Sequence, residues 1–265
     1  MYTVGIDIGS TSAKIVAMNL NKEIVYKKVI PTGWNSLETA EYIKSDLAAN
    51  AINKENSIVV ATGYGRISVP YADKIVTEIT CHGIGAAHLF DTKNTTVIDI
   101  GGQDTKIITI QNGSVVDFIM NDKCSAGTGR FLEIMANTLG IKLDEMCELA
   151  RQGSGVSISS MCTVFAESEV ISLIGSGCPK KDIAFGVVDS IANKVKSLSS
   201  KHRNANETVY LTGGLCENQY IIEVLGDKLN SNVISSPMGR YAGALGAALM
   251  AGKKNRYSKS GENLI

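Results

Sequence analysis

Hydrophobic positions along the chain alternate between short strand-like runs and stretches of helical spacing. Tyr2–Ile8, Ala13–Met18 and Lys22–Val29 read as three successive strands, divided by Gly9-Ser10-Thr11 and by a polar turn at Asn19-Leu20-Asn21. Ser36 stands where a cap is expected, before a helix with apolar residues at Leu37, Ala40, Ile43, Leu47 and Ala51. Ser57–Ala61 predicts a buried strand running into Thr62-Gly63-Tyr64-Gly65-Arg66, and Ile79–Phe90 a helix. Strands follow at Thr95–Ile100, Thr105–Ile110 and Ser114–Met120, the last two joined by a hairpin turn at Gln111-Asn112-Gly113. Helices are then expected near Gly129–Leu139, Leu143–Gln152, Val164–Ile174 and Lys181–Ser199. A strand at Thr208–Leu211 breaks at Gly213-Gly214, ahead of a helix from Asn218 to Leu229. Val233–Ser235 makes a short strand, Tyr241–Ala251 a Gly/Ala-rich helix, and the residues after Lys253 a polar tail.

The strand-rich beginning occurs twice. GIDIGSTSAKI, residues 5–15, and VIDIGGQDTKI, residues 97–107, align Asp7 with Asp99, Gly9 with Gly101 and Lys14 with Lys106. Two halves that open alike imply two similar α/β domains, residues 1–94 plus 240–265 and residues 95–239, with the ligand expected at the turns of both.

Composition narrows the class. The 265 residues are 44 % hydrophobic and 20 % charged, enough for a sizeable core, and the formal net charge is zero with dispersed basic residues, which leaves no nucleic-acid footprint. The apolar run Ala242–Gly252 is too short for a bilayer. The strand pattern starts at Tyr2 without a charged, apolar leader, so a cytoplasmic location is expected. The six cysteines form no C-x-x-C pair, and most read as reduced, buried thiols.

A Gly-rich turn between strands lets backbone N–H groups approach an anion. Gly9, Ser10, Thr11, Ser12, Ala13 and Lys14 form one such turn, and Gly101, Gly102 and Gln103 the other. Asp7 and Asp99 would repel phosphate directly but suit Mg²⁺, which bridges to it. Gln103 distinguishes the second turn, and an amide there can donate to phosphate while orienting a water. Gly213 and Gly214 offer bare backbone for an adenine, and Gly243 and Gly246 permit close packing near it. Together these residues predict ATP and ADP binding with Mg²⁺. Asp7, Asp99 and Gln103 are the candidate catalytic groups.

These segments resemble the phosphate and adenosine motifs of the actin, sugar-kinase and heat-shock ATPase superfamily. Within it, GIDIGSTSAK, ATGYGR, DKIVTEITCH, VIDIGGQDTK, MNDKCSAGTGRFLE, SSMCTVFAESEVIS, LTGG and GALGAAL resemble the BadF/BadG/BcrA/BcrD family, the activator ATPases of 2-hydroxyacyl-CoA dehydratases and their benzoyl-CoA reductase relatives. The resemblance implies an actin-like fold, a duplicated ribonuclease H-like motif around a nucleotide cleft. It also implies an ATPase that hands low-potential electrons from ferredoxin or flavodoxin to a partner iron–sulfur enzyme, in an anaerobic setting. Cys124 and Cys162 fall in the two longest motifs, and both are expected at helix N-termini, which favour a thiolate. The resemblance implies that they bind one [4Fe–4S] cluster shared by a homodimer, two ligands per subunit. Nucleotide-driven rotation of the domains would then move the cluster-bearing helices. Arg66 aligns the cleft or makes a surface ion pair; Asp122 and Lys123 tune the first cysteine or close a turn; Glu167 and Glu169 meet a partner or face solvent. The alternative is a small-molecule kinase of the same superfamily, which would leave Cys124 and Cys162 without a role.

Overall fold

The computed structural model describes residues 1–159, 162–200, 202 and 207–258. Its contacts divide it into two compact units. The first comprises residues 1–94, 110–116 and 238–265; the second comprises 95–109 and 117–237.

The first unit is built on strands β1 (Tyr2–Ile8), β2 (Ser12–Met18), β3 (Ile24–Pro31), β4 (Ser57–Thr62) and β5 (Lys74–Ile75), in the order β3-β2-β1-β4-β5. β1 runs antiparallel to β2, with Asp7 opposite Lys14, and parallel to β4, with Asp7 opposite Thr62. Side chains alternate across the sheet. Val4, Ile6 and Ile8 enter a core with Ile43 and Leu47 of helix α1 (Ser36–Ala49). The opposite face of the sheet is covered by α2 (Glu78–Leu89) and α8 (Ala242–Ser258), through Val16, Met18, Ala244 and Ala248. Glycine allows this closeness: a β-carbon on Gly5 would collide with the Ala244 carbonyl, and one on Gly246 with the Cys81 carbonyl. The cap of α1 is Asn35, whose side chain accepts from the Leu37 N–H, so the expected cap Ser36 is the first helical residue instead. α8 continues to Ser258, past the expected end at Ala251; of the polar tail, residues 259–265 lie outside those described.

The second sheet repeats the plan with β6 (Thr95–Ile100), β7 (Thr105–Gln111), β8 (Ser114–Asn121), β9 (Val209–Gly213) and β10 (Val233–Ser235), in the order β10-β9-β6-β7-β8, and belongs to the second unit except for residues 110–116 at the β7–β8 hairpin. Asn112 and Gly113 both take positive φ, as the two-residue hairpin between β7 and β8 requires. Helices α3 (Gly129–Thr138), α4 (Leu143–Ala150), α5 (Thr163–Gly175), α6 (Lys180–Ser199) and α7 (Gln219–Leu229) bury Phe131, Leu132, Val187 and Ile191 against Ile98, Ile100 and Leu211. β9 runs through Gly213 rather than breaking there, because Asp99 and Ile100 pair with Thr212 and Gly213. No helix among the described residues is long and apolar enough to cross a membrane.

Candidate functional site

Both turns are closed alike. Gly9 N–H donates to Ser12 O at 3.2 Å, and Gly101 N–H to Asp104 O at 2.9 Å. The first turn is braced by Thr32, whose hydroxyl donates to Gly9 O at 2.7 Å and whose N–H donates to Thr11 O at 3.1 Å. Thr11 and Gln103 are exposed, Ser10, Ser12, Lys14, Gly101 and Gly102 half-buried, and Ala13 buried behind its turn.

The likeness extends one strand further than the motifs show. Thr62-Gly63 ends β4 beside Asp7, and Thr212-Gly213 ends β9 beside Asp99. Both glycines take positive φ, +86° and +91°, and in each case a carboxylate oxygen fills the space of the missing side chain. A β-carbon on Gly213 would stand 2.6 Å from Asp99 Oδ1, and one on Gly243 2.7 Å from Asp7 Oδ2. Gly213 and Gly243 therefore make room for the two acids. Gly214, exposed and with open space around its α-carbon, is the bare backbone of that segment.

Electrostatically the turns differ. Lys106 is 1 % exposed and lies 3.3 Å from Asp99 Oδ2 and 2.6 Å from Asp104 Oδ1. Its counterpart Lys14 donates to Ser12 O at 3.3 Å and, among the described residues, pairs with no acid. One of the two acids is a substitution within the repeat: Asp104 stands where the first turn has Ser12. Asp104 was not among the expected site residues, although comparison of the two copies position by position exposes it.

The cysteines separate by burial. Cys81, Cys147 and Cys216 are buried, and burial pushes the Cys81 and Cys147 thiols up to about 11, which makes them poor nucleophiles and ligands. Cys124, Cys162 and Cys178 are half-buried. Cys162 caps α5, whose first turn carries no acid. Cys124 does not sit at a helix N-terminus as expected; it lies in the loop between β8 and α3, where Thr128 is the cap. Asn121 Nδ2 holds that loop by donating to Cys124 O at 2.9 Å and to Ala126 O at 3.0 Å. The Ser125 and Thr163 hydroxyls, each adjacent in sequence to one of the two cysteines, are bonded at 2.7 Å.

A family model described as the BadF/BadG/BcrA/BcrD ATPase family matches residues 4–251. The chain belongs to that family. It is 44 % identical, over 96 % of its length and 98 % of the relative's, to the (R)-2-hydroxyglutaryl-CoA dehydratase activating ATPase of Acidaminococcus fermentans. It is 43 % identical to the activator of lactoyl-CoA dehydratase of Anaerotignum propionicum, covering 95 % of this chain and 97 % of that one. The activator of the 2-hydroxyisocaproyl-CoA dehydratase from Clostridium difficile, solved with bound ADPNP, superposes with a TM-score of 0.90 at 36 % identity, covering 100 % and 99 % of the two chains. The fold is accordingly that of the actin-like ATPases, and the chain is an ATPase.

Within that ATPase, Glu167, Glu169 and Arg66 are engaged in hydrogen bonds. Glu167 accepts from the Thr138 hydroxyl at 3.2 Å, and Glu169 from the Ser159 N–H at 2.8 Å, so both pin α5 internally. Arg66 donates to Gly63 O at 2.9 Å, inside its own turn. Asp122 and Lys123 are exposed in the Cys124 loop.

Proposed function

We propose that the protein is an ATP-hydrolysing activator that delivers low-potential electrons, taken from ferredoxin or flavodoxin, to a 2-hydroxyacyl-CoA dehydratase or a related iron–sulfur reductase. Support comes from relatives named as a dehydratase activating ATPase and a dehydratase activator, at 43–44 % identity over nearly the whole chain. The observation that carries it is the Ser125–Thr163 bond, which ties together the segments bearing two half-buried thiols while Cys81, Cys147 and Cys216 are packed away.

In this reading Mg²⁺ nucleotide engages the Gly9–Lys14 turn and the Gly101–Gln103 turn. Asp7 and Asp99 hold the metal, and Gln103 orients the attacking water. Lys14 supplies positive charge to phosphate, whereas Lys106 is committed to its acids. Cys124 and Cys162 from each of two copies hold one [4Fe–4S] cluster, which supplies the transferred electron when bound. The chemistry of the donor set fits: four thiolates are required, and each chain offers two in linked segments. The positive end of α5 lies at Cys162 and favours the negative charge of such a group. The protein then works in the anaerobic cytoplasm as a homodimer. A small-molecule kinase would leave the linked thiols unexplained.

Anaerobic reconstitution with iron and sulfide tests this. The unmodified protein should bind about four irons per dimer and show absorbance in the visible that air destroys. Cys124→Ser and Cys162→Ser should abolish iron binding, and Cys147→Ser and Cys216→Ser should not. Four irons per monomer would rule out the shared cluster.

A further inference from the structure

The N-terminus of α3 is satisfied in an unusual way. The first N–H groups of a helix have no partner within it and are normally met by the cap side chain. The cap Thr128 makes no such bond, and its hydroxyl donates instead to Ser125 O at 2.7 Å. The carbonyls of the second phosphate turn take the cap's place. Gly129 N–H donates to Gly101 O at 2.9 Å, and Arg130 N–H to Gly102 O at 2.8 Å. Position 129 is tight, since a β-carbon there would stand 3.0 Å from Gly101 O.

Thr105, buried at the start of β7, adds a third link by donating from its hydroxyl to Gly127 O at 2.6 Å. Gly127 takes φ +90°, so this part of the loop has a conformation few other residues could hold. From Ser125 the connection passes to Thr163, the residue after Cys162. The turn, the Cys124 loop and the start of α5 are thus joined by consecutive hydrogen bonds within one unit. An anion bound by N–H groups of the turn acts on the same peptide units whose carbonyls hold α3.

We propose that Thr105 and the Ser125–Thr163 hydroxyl pair are positioning residues that carry a nucleotide-induced shift of the second turn to Cys124 and Cys162 together. Ser125–Thr163 is the branch to Cys162, and Thr105 lies upstream of both cysteines. The proposal rests on the proposed function only for the task of those two cysteines, so its test uses metal-free, reduced protein.

The experiment measures the alkylation rates of Cys124 and Cys162 with iodoacetamide, separated by peptide mass spectrometry, with and without Mg²⁺-ADPNP. In the unmodified protein the nucleotide should change both rates in the same sense, by about five-fold or more, the lower end of the usual range of site–site coupling. Ser125→Ala and Thr163→Val should keep the Cys124 response and lose most of the Cys162 response, since one hydroxyl bond is worth roughly five-fold in an equilibrium. Thr163→Ser, which retains the hydroxyl, should restore it. Thr105→Val should diminish both responses with nucleotide affinity unchanged, a pattern that simple loosening of the fold would not give. A full Cys162 response in Ser125→Ala and Thr163→Val overturns the proposal, as does the absence of any nucleotide response in the unmodified protein. Failure of the cluster reading would show separately, as missing iron.

Discussion

The carboxylate of Asp7 lies where a β-carbon on Gly63 would stand. The glycine is needed twice over, because its φ of +86° also disfavours any side chain. Gly63→Ala should therefore cost about 1–3 kcal/mol of stability and displace Asp7, weakening the Mg²⁺-dependent part of nucleotide binding. Gly33 provides the control: its φ is +64°, but open space surrounds it. Gly33→Ala should lose about 1 kcal/mol and leave nucleotide binding intact. Urea denaturation and calorimetric titration with and without Mg²⁺ measure both quantities, and equal effects of the two substitutions on binding would contradict the role given to Asp7.

Gln103 is exposed on the second turn. Gln103→Ala should leave stability within about 0.5 kcal/mol while lowering ATP turnover about 10-fold to 100-fold, a barrier increase of roughly 1.4 to 2.8 kcal/mol. Nucleotide affinity should stay the same. Turnover at the unmodified rate would remove Gln103 from the reaction.

The two matched lysines should behave in opposite ways. Lys106→Met strands the carboxylates of Asp99 and Asp104 without their buried cation and should destabilise by about 3–5 kcal/mol. Lys14→Met breaks no ion pair; it should change stability by less than about 1 kcal/mol and weaken ATP binding. Melting curves alongside nucleotide titrations distinguish these outcomes, and a Lys14 variant as unstable as the Lys106 variant would refute the asymmetry.

Burial holds the Cys147 thiol at about 11, above the ordinary value of 9.0. A raised thiol pKa means that the folded state keeps its proton longer than the unfolded chain. The stabilisation is complete below pH about 9 and is lost as the pH rises toward 11. The stability advantage of the unmodified protein over Cys147→Ala should shrink by about 1.5 kcal/mol between pH about 9 and about 10.5. Denaturation in reducing buffer at several pH values checks this, and a constant advantage would show that the thiol titrates normally.

Much of the fold was readable from the chain. The strands at Tyr2–Ile8 and Thr95–Ile100, the hairpin at Asn112-Gly113 and the helices between Gly129 and Leu229 follow from local patterns, and the structure places them within a residue or two, whereas α8 runs to Ser258, well past its expected end. The misreadings were also local. Asn35 displaced Ser36 as cap because both residue types serve, and only the backbone selects between them. β9 absorbed Gly213 because pairing with β6 outweighed the weak strand preference of glycine.

The sequence by itself determined that two acid–glycine turns exist, that they match, and that two cysteines lie in distinctive motifs. These are properties of neighbouring residues, set by turn chemistry and by the two-residue period of strands. Only the tertiary structure decided which glycines make room for which acids, that Lys106 is buried between Asp99 and Asp104 while Lys14 is not, and that Cys124 sits in a loop fastened to the second turn. Those relationships join residues far apart in sequence. Strand order and register bring Gly63 to Asp7 and Gly213 to Asp99, and the return of the chain through α8 brings Gly243. No pattern confined to neighbouring residues encodes that register, because it is chosen by the simultaneous packing of both faces of each sheet.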